Sequence, residues 1–315
     1  MRNSTCALLV FYGLVLVFFD GCRPGSTAKE GARQTLLGKN EYVEYQPGGL
    51  PIIIAVPHGG YLKPAAMAHR NCQDCIYTID AYTQELARNI ATALQKQTGG
   101  CQPHLIVNRL HRAKLDANRS QADASDGSPA AAAAWREYHQ FIEDAKKRVL
   151  KQYGAGLLID LHGHSHSGQR LELGYLLDDQ DLRQNDTILN SIVYANRLSV
   201  RDMYLKSQNK TTVSELVRGP HSFGTLAHQR GYAAVPSQLI PAPKSGESFF
   251  AGGYTIQRHG SLNKGGVDAI QVECNRKGVR DTPANRQKFA VAIAQVIDQY
   301  WQYHHKTQKL GASCK

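Results

Sequence analysis

Side chains that can bind metals and move protons follow four apolar segments of this sequence. His58 and His162 closely follow two of the segments, and Glu273 is the last residue of a third. The fourth is followed by residues 108–119, which are rich in Arg and Asn. A single His after a strand is usually structural, but four such segment ends together favour one common site. The four segments are 51–56, 104–107, 156–160 and 268–273.

These residue types suit a metal-dependent hydrolase. A catalytic zinc takes three protein ligands and keeps one open position for water. His58 and His162 would supply two ligand nitrogens, and Asp160 would orient the His162 ring from outside. Glu273 is the natural general base for water. The Arg and Asn side chains of 108–119 would hold an anionic substrate, because Arg matches a carboxylate with two hydrogen bonds. Iron, cobalt or nickel would accept the same ligands.

The elements that must position these side chains indicate an α/β fold. The four apolar segments are short and rich in β-branched residues, which is typical of buried strands. Apolar residues recur at helical spacing over 78–97, 135–149 and 283–301. Strands that alternate with long helices predict a mixed, largely parallel central sheet flanked by helices. Working residues gather at the carboxyl ends of such strands. Residues 205–267 have weaker periodicity and predict long loops over one sheet edge.

Composition excludes several other classes of protein. The chain has 315 residues, of which 42% are apolar and 20% charged, so intrinsic disorder is excluded. The net charge is +11, but the basic residues are scattered, and we therefore expect no nucleic-acid partner. We predict a single hydrolase domain over residues 49–315.

The N-terminus is typical of an exported protein. Arg2 precedes the apolar run 7–19, which is too short for a comfortable membrane span. We predict a signal peptide over 1–22, a leader with a first hairpin over 23–48, and secretion with no membrane span after the signal is removed. The alternatives are an uncleaved membrane anchor and a lipid attached to Cys22.

Cysteines and glycosylation sequons agree with export. Cys72 and Cys75 form a lone CxxC pair, for which a structural disulfide is the favoured interpretation in an oxidising compartment. Cys101 is a plausible partner for either of them, and the pairing stays open. Asn185 and Asn209 begin glycosylation sequons, which predict a glycoprotein if the chain follows a eukaryotic secretory route.

Four motifs resemble those of the N-formylglutamate amidohydrolases, a family related in fold to the zinc carboxypeptidases and the aspartoacylase-type deacylases. The resemblance extends over about residues 50–303, nearly all of the chain after the signal. It implies one Zn²⁺ per chain and hydrolysis of the N-acyl amide of a small anionic amino acid. The motifs are Pro-His-Gly-Gly at 57–60, Asn-Arg-Leu-His-Arg-x-x-Leu-Asp-x-Asn-Arg at 108–119, Asp-Leu-His-Gly-His at 160–164 and Ile-Gln-Val-Glu at 270–273.

Carried over by position, the resemblance makes His58 and His162 zinc ligands and Glu273 the carboxylate that activates water. The related carboxypeptidases place a Glu ligand three residues after the first His, where this chain has Tyr61. The third ligand must therefore come from elsewhere, and we choose Asp80. The alternative role for Asp80 is an acid in the first turn of a helix, where it would stabilise the helix dipole.

The resemblance also assigns the substrate contacts. Asn118 and Arg119 match the pair with which the superfamily grips the α-carboxylate of its substrate. Arg112 or Arg109 would face the oxyanion or a second carboxylate; the spacing does not choose between them, although we prefer Arg112 at the oxyanion. His259, in a Gly-rich loop, is a candidate substrate contact or proton donor.

The segment after His162 contains further candidates. His164 is expected to contact the substrate or shape the pocket. His164, His166 and Glu172 are reserves for the third metal ligand.

Two other functions remain open. The chain could be a peptidase similar to the metallocarboxypeptidases, or a deacylase of another N-acyl amino acid. It could also be a secreted binding or matrix protein that keeps the fold without turnover. Histidine breakdown, which produces N-formylglutamate, is usually intracellular, so an exported enzyme would act on a different natural substrate.

Overall fold

The structure is a computed structural model that describes most of the chain. The predicted signal peptide over 1–22, the sequon residue Asn209 and Cys314 lie outside the described residues, so the expectations about them stay predictions. The described residues are 34–208, 210–263 (with only the backbone of Asn263), 265–305 and 310–312.

One mixed sheet forms the centre of the fold. Its eight strands lie in the order β1-β2-β4-β3-β5-β8-β6-β7. Strand β3 pairs in parallel with β4 and β5, β5 with β8, and β6 with β7, whereas the other three pairs are antiparallel. The predicted fold class, a mixed and largely parallel sheet, is confirmed. The strands are β1 (Leu36–Leu37), β2 (Val43–Gln46), β3 (Ile52–Val56), β4 (His104–Asn108), β5 (Gly156–Gly163), β6 (Leu171–Gly174), β7 (Ala234–Val235) and β8 (Val267–Cys274).

Helices cover both faces of this sheet. Helices α1 and α11 pack against each other, and α3 packs on the opposite face of β3 and β5. The helices are α1 (Thr83–Gln97), α2 (Gln121–Ser125), α3 (Pro129–Tyr153), α4 (Asp179–Leu182), α5 (Asp186–Leu189), α6 (Ile192–Ala195), α7 (Arg201–Lys206), α8 (Val213–Arg218), α9 (Phe223–His228), α10 (Tyr254–His259) and α11 (Pro283–His305).

Burial on both faces explains the unbroken apolar runs of the central strands. In β3, Ile52, Ile54 and Val56 pack into the core beneath α1 and α11, while Ile53 and Ala55 pack into the core beneath α3. Successive side chains of a strand point to opposite faces, so a strand covered on both sides is apolar at every position.

Two predicted segments differ from the structure. The hairpin expected within 23–48 is present as β1 and β2, and β2 pairs with β4, so residues 36–46 extend the main sheet; the leader expected before them, up to residue 33, lies outside the described residues. Residues 205–267 contain α8, α9, β7 and α10 as well as loops. These elements have two to six residues each, too few for a periodicity to emerge from the sequence.

Two further findings concern cysteines and membranes. A disulfide joins Cys72 to Cys75, so neither of them pairs with Cys101. Cys274 is a buried free thiol. Within the described ranges, no helix combines the length and the apolar character needed to cross a membrane.

Candidate metal centre and cleft

Three neighbouring strands bring the predicted site residues to one end of the sheet. His58 lies two residues beyond the end of β3, His162 lies near the end of β5, and Glu273 lies near the end of β8. Strand β5 runs between β3 and β8, and His162 is the register partner of Glu273. The parallel pairing therefore brings together side chains that are distant in the sequence.

Asp80 joins this group from the loop before α1. The helix begins at Thr83, five residues later than the predicted start at 78, and Tyr82 before it has a left-handed φ of 69°. The Asp80 backbone N–H donates to the His58 carbonyl (3.2 Å), and Gly163 N donates to Asp80 Oδ2 (3.1 Å). Asp80 thus precedes the first helical turn and faces the site, which contradicts its alternative role as a first-turn acid.

Two histidines present the same ring atom to Asp80. His58 Nδ1 lies 3.4 Å and His162 Nδ1 3.3 Å from Asp80 Oδ2. All three residues are buried, and their ligand atoms lie close enough together to hold one metal ion. His58 Nδ1 has no hydrogen-bond partner among the described atoms although it is buried. Tyr61, by contrast, is 53% exposed.

A carboxylate holds the other ring nitrogen of each histidine. His58 Nε2 donates to Asp116 Oδ1 (2.6 Å), and His162 Nε2 donates to Asp160 Oδ2 (2.9 Å). A carboxylate only accepts, so each Nε2 carries the proton and each Nδ1 keeps its lone pair. This carboxylate–histidine pairing is the usual support of metal-binding imidazoles. We expected Asp160 in this role; Asp116 was missed, although it lies inside the 108–119 motif.

Asp116 is also the centre of a cationic cluster. It accepts from Arg112 Nε (2.9 Å) and from the backbone N–H of Asn118 (3.1 Å), and Arg70 lies 3.9 Å away. Burial alone would raise the pKa of Asp116, but His58, Arg112 and Arg70 together hold it well below its usual value. Asp116 is therefore held as an anion that fixes both His58 and the segment that carries Arg112 and Asn118.

Neighbouring charges determine the pKa values of Asp80 and His162. Burial alone would raise the pKa of Asp80, but His58 and His162 outweigh burial and hold it well below the usual value. Burial opposes the charge on His162, yet Asp160 and Glu273 raise its pKa well above the usual value. The carboxylates around His162 thus favour a positive charge at this position, which a metal ion bound at Nδ1 would supply.

Glu273 lies beside the donor group without joining it. Its Oε1 is 3.8 Å from His162 Nδ1 and accepts a hydrogen bond from Gln271 Nε2 (3.0 Å). Burial raises the pKa of Glu273 to about 8; the neighbouring Asp80 and Glu172 add to this effect, while His162 opposes it. A buried carboxyl with a raised pKa next to a possible metal is suited to exchange protons.

A cleft of ≈ 750 Å³ opens over these residues. Arg112, Asn118, Arg119 and His164, for which the sequence analysis predicted roles at the substrate, line it. Arg276, which was not predicted, lines it as well. The cleft therefore combines a possible metal centre with several cationic side chains.

Two predicted substrate contacts lie elsewhere. Arg109 points to the β1–β2 turn, where its Nη1 donates to the carbonyl of Glu41 (2.7 Å). His259 is fully buried, with hydrogen bonds to Glu143 (2.8 Å) and His139 (2.8 Å). Neither residue lines the cleft, so these placements contradict a direct substrate contact and leave Arg112 as the oxyanion candidate.

Arg280 is a further residue that the sequence analysis missed. Its guanidinium donates to the backbone carbonyls of Ala81, His164 and Cys274. It thereby ties the loop that carries Asp80 to the ends of β5 and β8. No local motif marks this residue, because its three partners come from three separate segments.

Comparisons with known proteins give structural similarity alone. No protein-family model and no curated protein matches the chain. The chain is similar to the solved structure of an N-formylglutamate amidohydrolase from Ralstonia eutropha JMP134, with a TM-score of 0.48 and 13% identity over 87% of this chain and 98% of that one. It is also similar to a succinylglutamate desuccinylase from Chromobacterium violaceum (TM-score 0.40, 12% identity, 89% and 75% covered). An N-acetylmuramyl-L-alanine amidase from Mycobacterium abscessus is a third such structure (TM-score 0.31, 11% identity, 79% and 97% covered). The first carries the name of the family that the motifs resemble.

Proposed function

We propose that this chain is a metal-dependent hydrolase of amide bonds, with zinc as its metal and a small anionic N-acyl amino acid as its substrate. One observation carries the proposal. His58 and His162 both direct Nδ1 at one oxygen of Asp80, while a second carboxylate holds each Nε2.

The donor set fits zinc. Two imidazole nitrogens and one carboxylate oxygen are ligands that catalytic zinc sites use, with a fourth position left open. His58, Asp80 and His162 would hold the ion. The buried Nδ1 atom of His58 lacks a hydrogen-bond partner in the described structure, and the ion would accept its lone pair. When bound, zinc supplies a Lewis acid that polarises water and the acyl carbonyl.

Glu273 is the proton carrier of the proposed reaction. It takes a proton from the attacking water and later delivers it to the leaving amine. The pKa of about 8 that burial gives this carboxyl lies near neutral pH, where a group accepts and returns protons most efficiently. The hydrogen bond from Gln271 fixes the orientation of the carboxyl group.

Arg112 and Arg119 have different parts in binding. The side chain of Arg112 is only 12% exposed and is held by Asp116, with Nη1 3.8 Å from Asp80 Oδ1, so its charge is fixed beside the donor group. A fixed positive charge there stabilises the oxyanion that forms on the acyl carbonyl. The side chain of Arg119, whose Nε lies 4.0 Å from Asp116 Oδ2, is 53% exposed and can take a carboxylate of the substrate.

Asn118 is oriented for the same task. Its Oδ1 accepts from the backbone N–H of Thr255 (2.7 Å), which turns the amide NH₂ group toward His162 and the cleft. An amide N–H held in this way can donate to the substrate carboxylate beside Arg119.

The proposal is tested on purified protein by metal analysis and by hydrolysis of N-formyl, N-acetyl and longer acyl amino acids beside short peptides. We expect bound zinc, release of free amino acid, and a loss of roughly 10²–10⁴-fold in kcat for Glu273→Gln. Glu85→Gln, a change of the same kind on the exposed side of α1, is the matched control and should behave as wild type.

Three results would contradict this proposal. They are full turnover by metal-loaded Glu273→Gln, no metal bound after incubation with zinc, and cleavage of short peptides but of none of the N-acyl amino acids. The last result would favour the carboxypeptidase-like alternative, and the second would favour a binding protein without turnover.

We also propose that the protein is exported. The Cys72–Cys75 disulfide supports this, since such bonds persist in oxidising compartments. Mass spectrometry of the protein from culture medium would show an N-terminus near residue 22; recovery only inside cells, with the N-terminus intact, would contradict export.

A further inference from the structure

A second group of metal-binding side chains lies next to the first. The three reserve residues His164, His166 and Glu172 do not approach His58; instead their own ligand atoms lie within 4.8 Å of one another. Glu172 is in β6, directly opposite Glu273 in β8. The two groups are thus separate sets of donors on adjoining strands of one sheet.

Hydrogen bonds orient two of these residues. His164 Nε2 donates to the carbonyl of Arg170 (2.8 Å), so Nδ1 keeps the lone pair. Glu172 Oε2 accepts from the backbone N–H of Phe250 (2.9 Å), which leaves Oε1 facing His166 Nδ1 (2.9 Å). Outer partners of this kind hold metal ligands in position.

The charges around Glu172 favour a cation. Glu172 is 1% exposed, and in the part of the chain that the structure describes its only ion pair is with His166. Residues directly opposite on antiparallel strands have neighbouring side chains, so Glu172 and Glu273 are close like charges when both are ionised. A buried carboxylate is costly unless a positive charge accompanies it.

The second group is open to the cleft on one side. His164 and His166 both line the cleft, and the His166 side chain is 24% exposed. The His166 ring stacks on Phe250, with ring centroids 4.6 Å apart, which limits its rotation. An ion could therefore enter from the cleft and keep a water-exposed position. It would replace the ring proton that His166 Nδ1 shares with Glu172 Oε1 (2.9 Å), and it would displace the long hydrogen bond from His166 N to His164 Nδ1 (3.2 Å).

We propose that His164, His166 and Glu172 bind a second divalent cation, separate from the one held by His58, Asp80 and His162. Two imidazoles and one carboxylate form a donor set that zinc accepts. The chain then binds two zinc ions in a single cleft, with Glu273 between the two groups.

Metal stoichiometry tests this proposal. Full-length protein is freed of metal with a chelator and titrated calorimetrically with ZnCl₂; a parallel titration with CoCl₂ follows the visible absorption of Co²⁺. We expect two equivalents per chain in the wild type and one in His166→Ala. His69→Ala, which removes an exposed imidazole outside both groups, is the matched control and should bind two.

The two sites are distinguished by their own variants. His162→Ala should lose the first equivalent and keep the second, so failure of the first site leaves the second measurable. Glu172→Gln keeps an acceptor for the backbone N–H of Phe250 and should lower the affinity for the second metal ion at least about tenfold. Saturation of the wild type at one equivalent that His162→Ala abolishes would overturn the proposal. Two equivalents retained in both folded His166→Ala and folded Glu172→Gln would also overturn it.

Discussion

Replacing Asp116 by Asn should weaken metal binding without removing any ligand. The carboxylate accepts from His58 Nε2 with one oxygen (2.6 Å) and from Arg112 Nε with the other (2.9 Å). An amide has one accepting oxygen, so in either orientation an N–H group faces one of the two donors. If it faces His58, the ring must move its proton to Nδ1 and lose the lone pair that a metal needs.

The size of the effect follows from what the substitution leaves in place. His58, Asp80 and His162 all remain, and only the orientation and basicity of one ligand change. Loss of such an outer partner costs about 10–100-fold in metal affinity, or about 1.4–2.7 kcal/mol. We expect Asp116→Asn to fall in this range and His58→Ala to fall beyond it.

Competition for zinc with a chromophoric chelator at neutral pH measures the affinity. Asp123→Asn is the matched control, because Asp123 lines the same cleft but bonds to Ser120 and contacts neither histidine. Wild-type affinity in a folded Asp116→Asn protein would refute the assignment of Nδ1 as the ligand atom. An equal loss of zinc affinity in Asp123→Asn would show that the affinity depends on the total negative charge of the cleft and not on the hydrogen bond to His58.

Substitutions at three other positions test the framework around the site. Burial raises the pKa of Asp268 to about 7, so the folded protein favours the protonated carboxyl. The stability gained in this way is complete below the unfolded pKa of about 4 and is lost as the pH rises through 7. Between these two pH values the free energy of unfolding of the wild type should therefore decline by up to about 1.4 kcal/mol per pH unit, and Asp268→Asn should remove this decline. Urea unfolding at several pH values measures it. Arg280→Ala removes the donor to three backbone carbonyls, of which, among the described residues, only that of Cys274 keeps another partner, the backbone N–H of His164 (3.0 Å). It should lower stability by several kcal/mol, at roughly 1–3 kcal/mol for each carbonyl left without a partner, and Arg280→Lys should restore only part, since one ammonium cannot span all three. Gly60→Ala places a Cβ against the backbone of Arg109 and Leu110 and should cost about 1–3 kcal/mol, read as a lower melting temperature.

Each of these has a contrary outcome. A stability profile for Asp268→Asn that declines like the wild type would place the titration elsewhere. Full rescue by Arg280→Lys would show that charge alone matters at that position. An unchanged melting temperature for Gly60→Ala would show that the adjoining backbone can move.

The central sheet could be predicted from the sequence, and its edges could not. Strands β3, β4, β5 and β8 are covered on both faces, so their apolar runs are unbroken and visible. A hairpin was expected where β1 and β2 lie, but not its pairing with β4, and β7 has only two residues, so no pattern reveals it. Their place in the sheet comes from pairing with distant strands.

The site was predictable to the same degree. Strand ends revealed His58, His162 and Glu273, because the ends of parallel strands share one edge of the sheet. Asp80 was chosen as a ligand from sequence, but only tertiary contacts show its carboxylate between the two histidines. Asp116 and Arg280 act through partners far away in the chain. His259 is polar and lies near Gly residues, yet it is a core residue bonded to the buried His139 and to Glu143, whose side chain is 37% exposed.

The strand order also determines when the metal centre can form during folding. Strand β5 pairs with strands that lie about a hundred residues away on either side, so two long loops must close before His58, His162 and Glu273 meet. Closing these loops costs chain entropy early in folding, and the contacts between the strands offset this cost only when both pairings are complete. A metal bound by His58, Asp80 and His162 as proposed would therefore meet a chain that is already folded, and we expect it to slow unfolding without speeding folding.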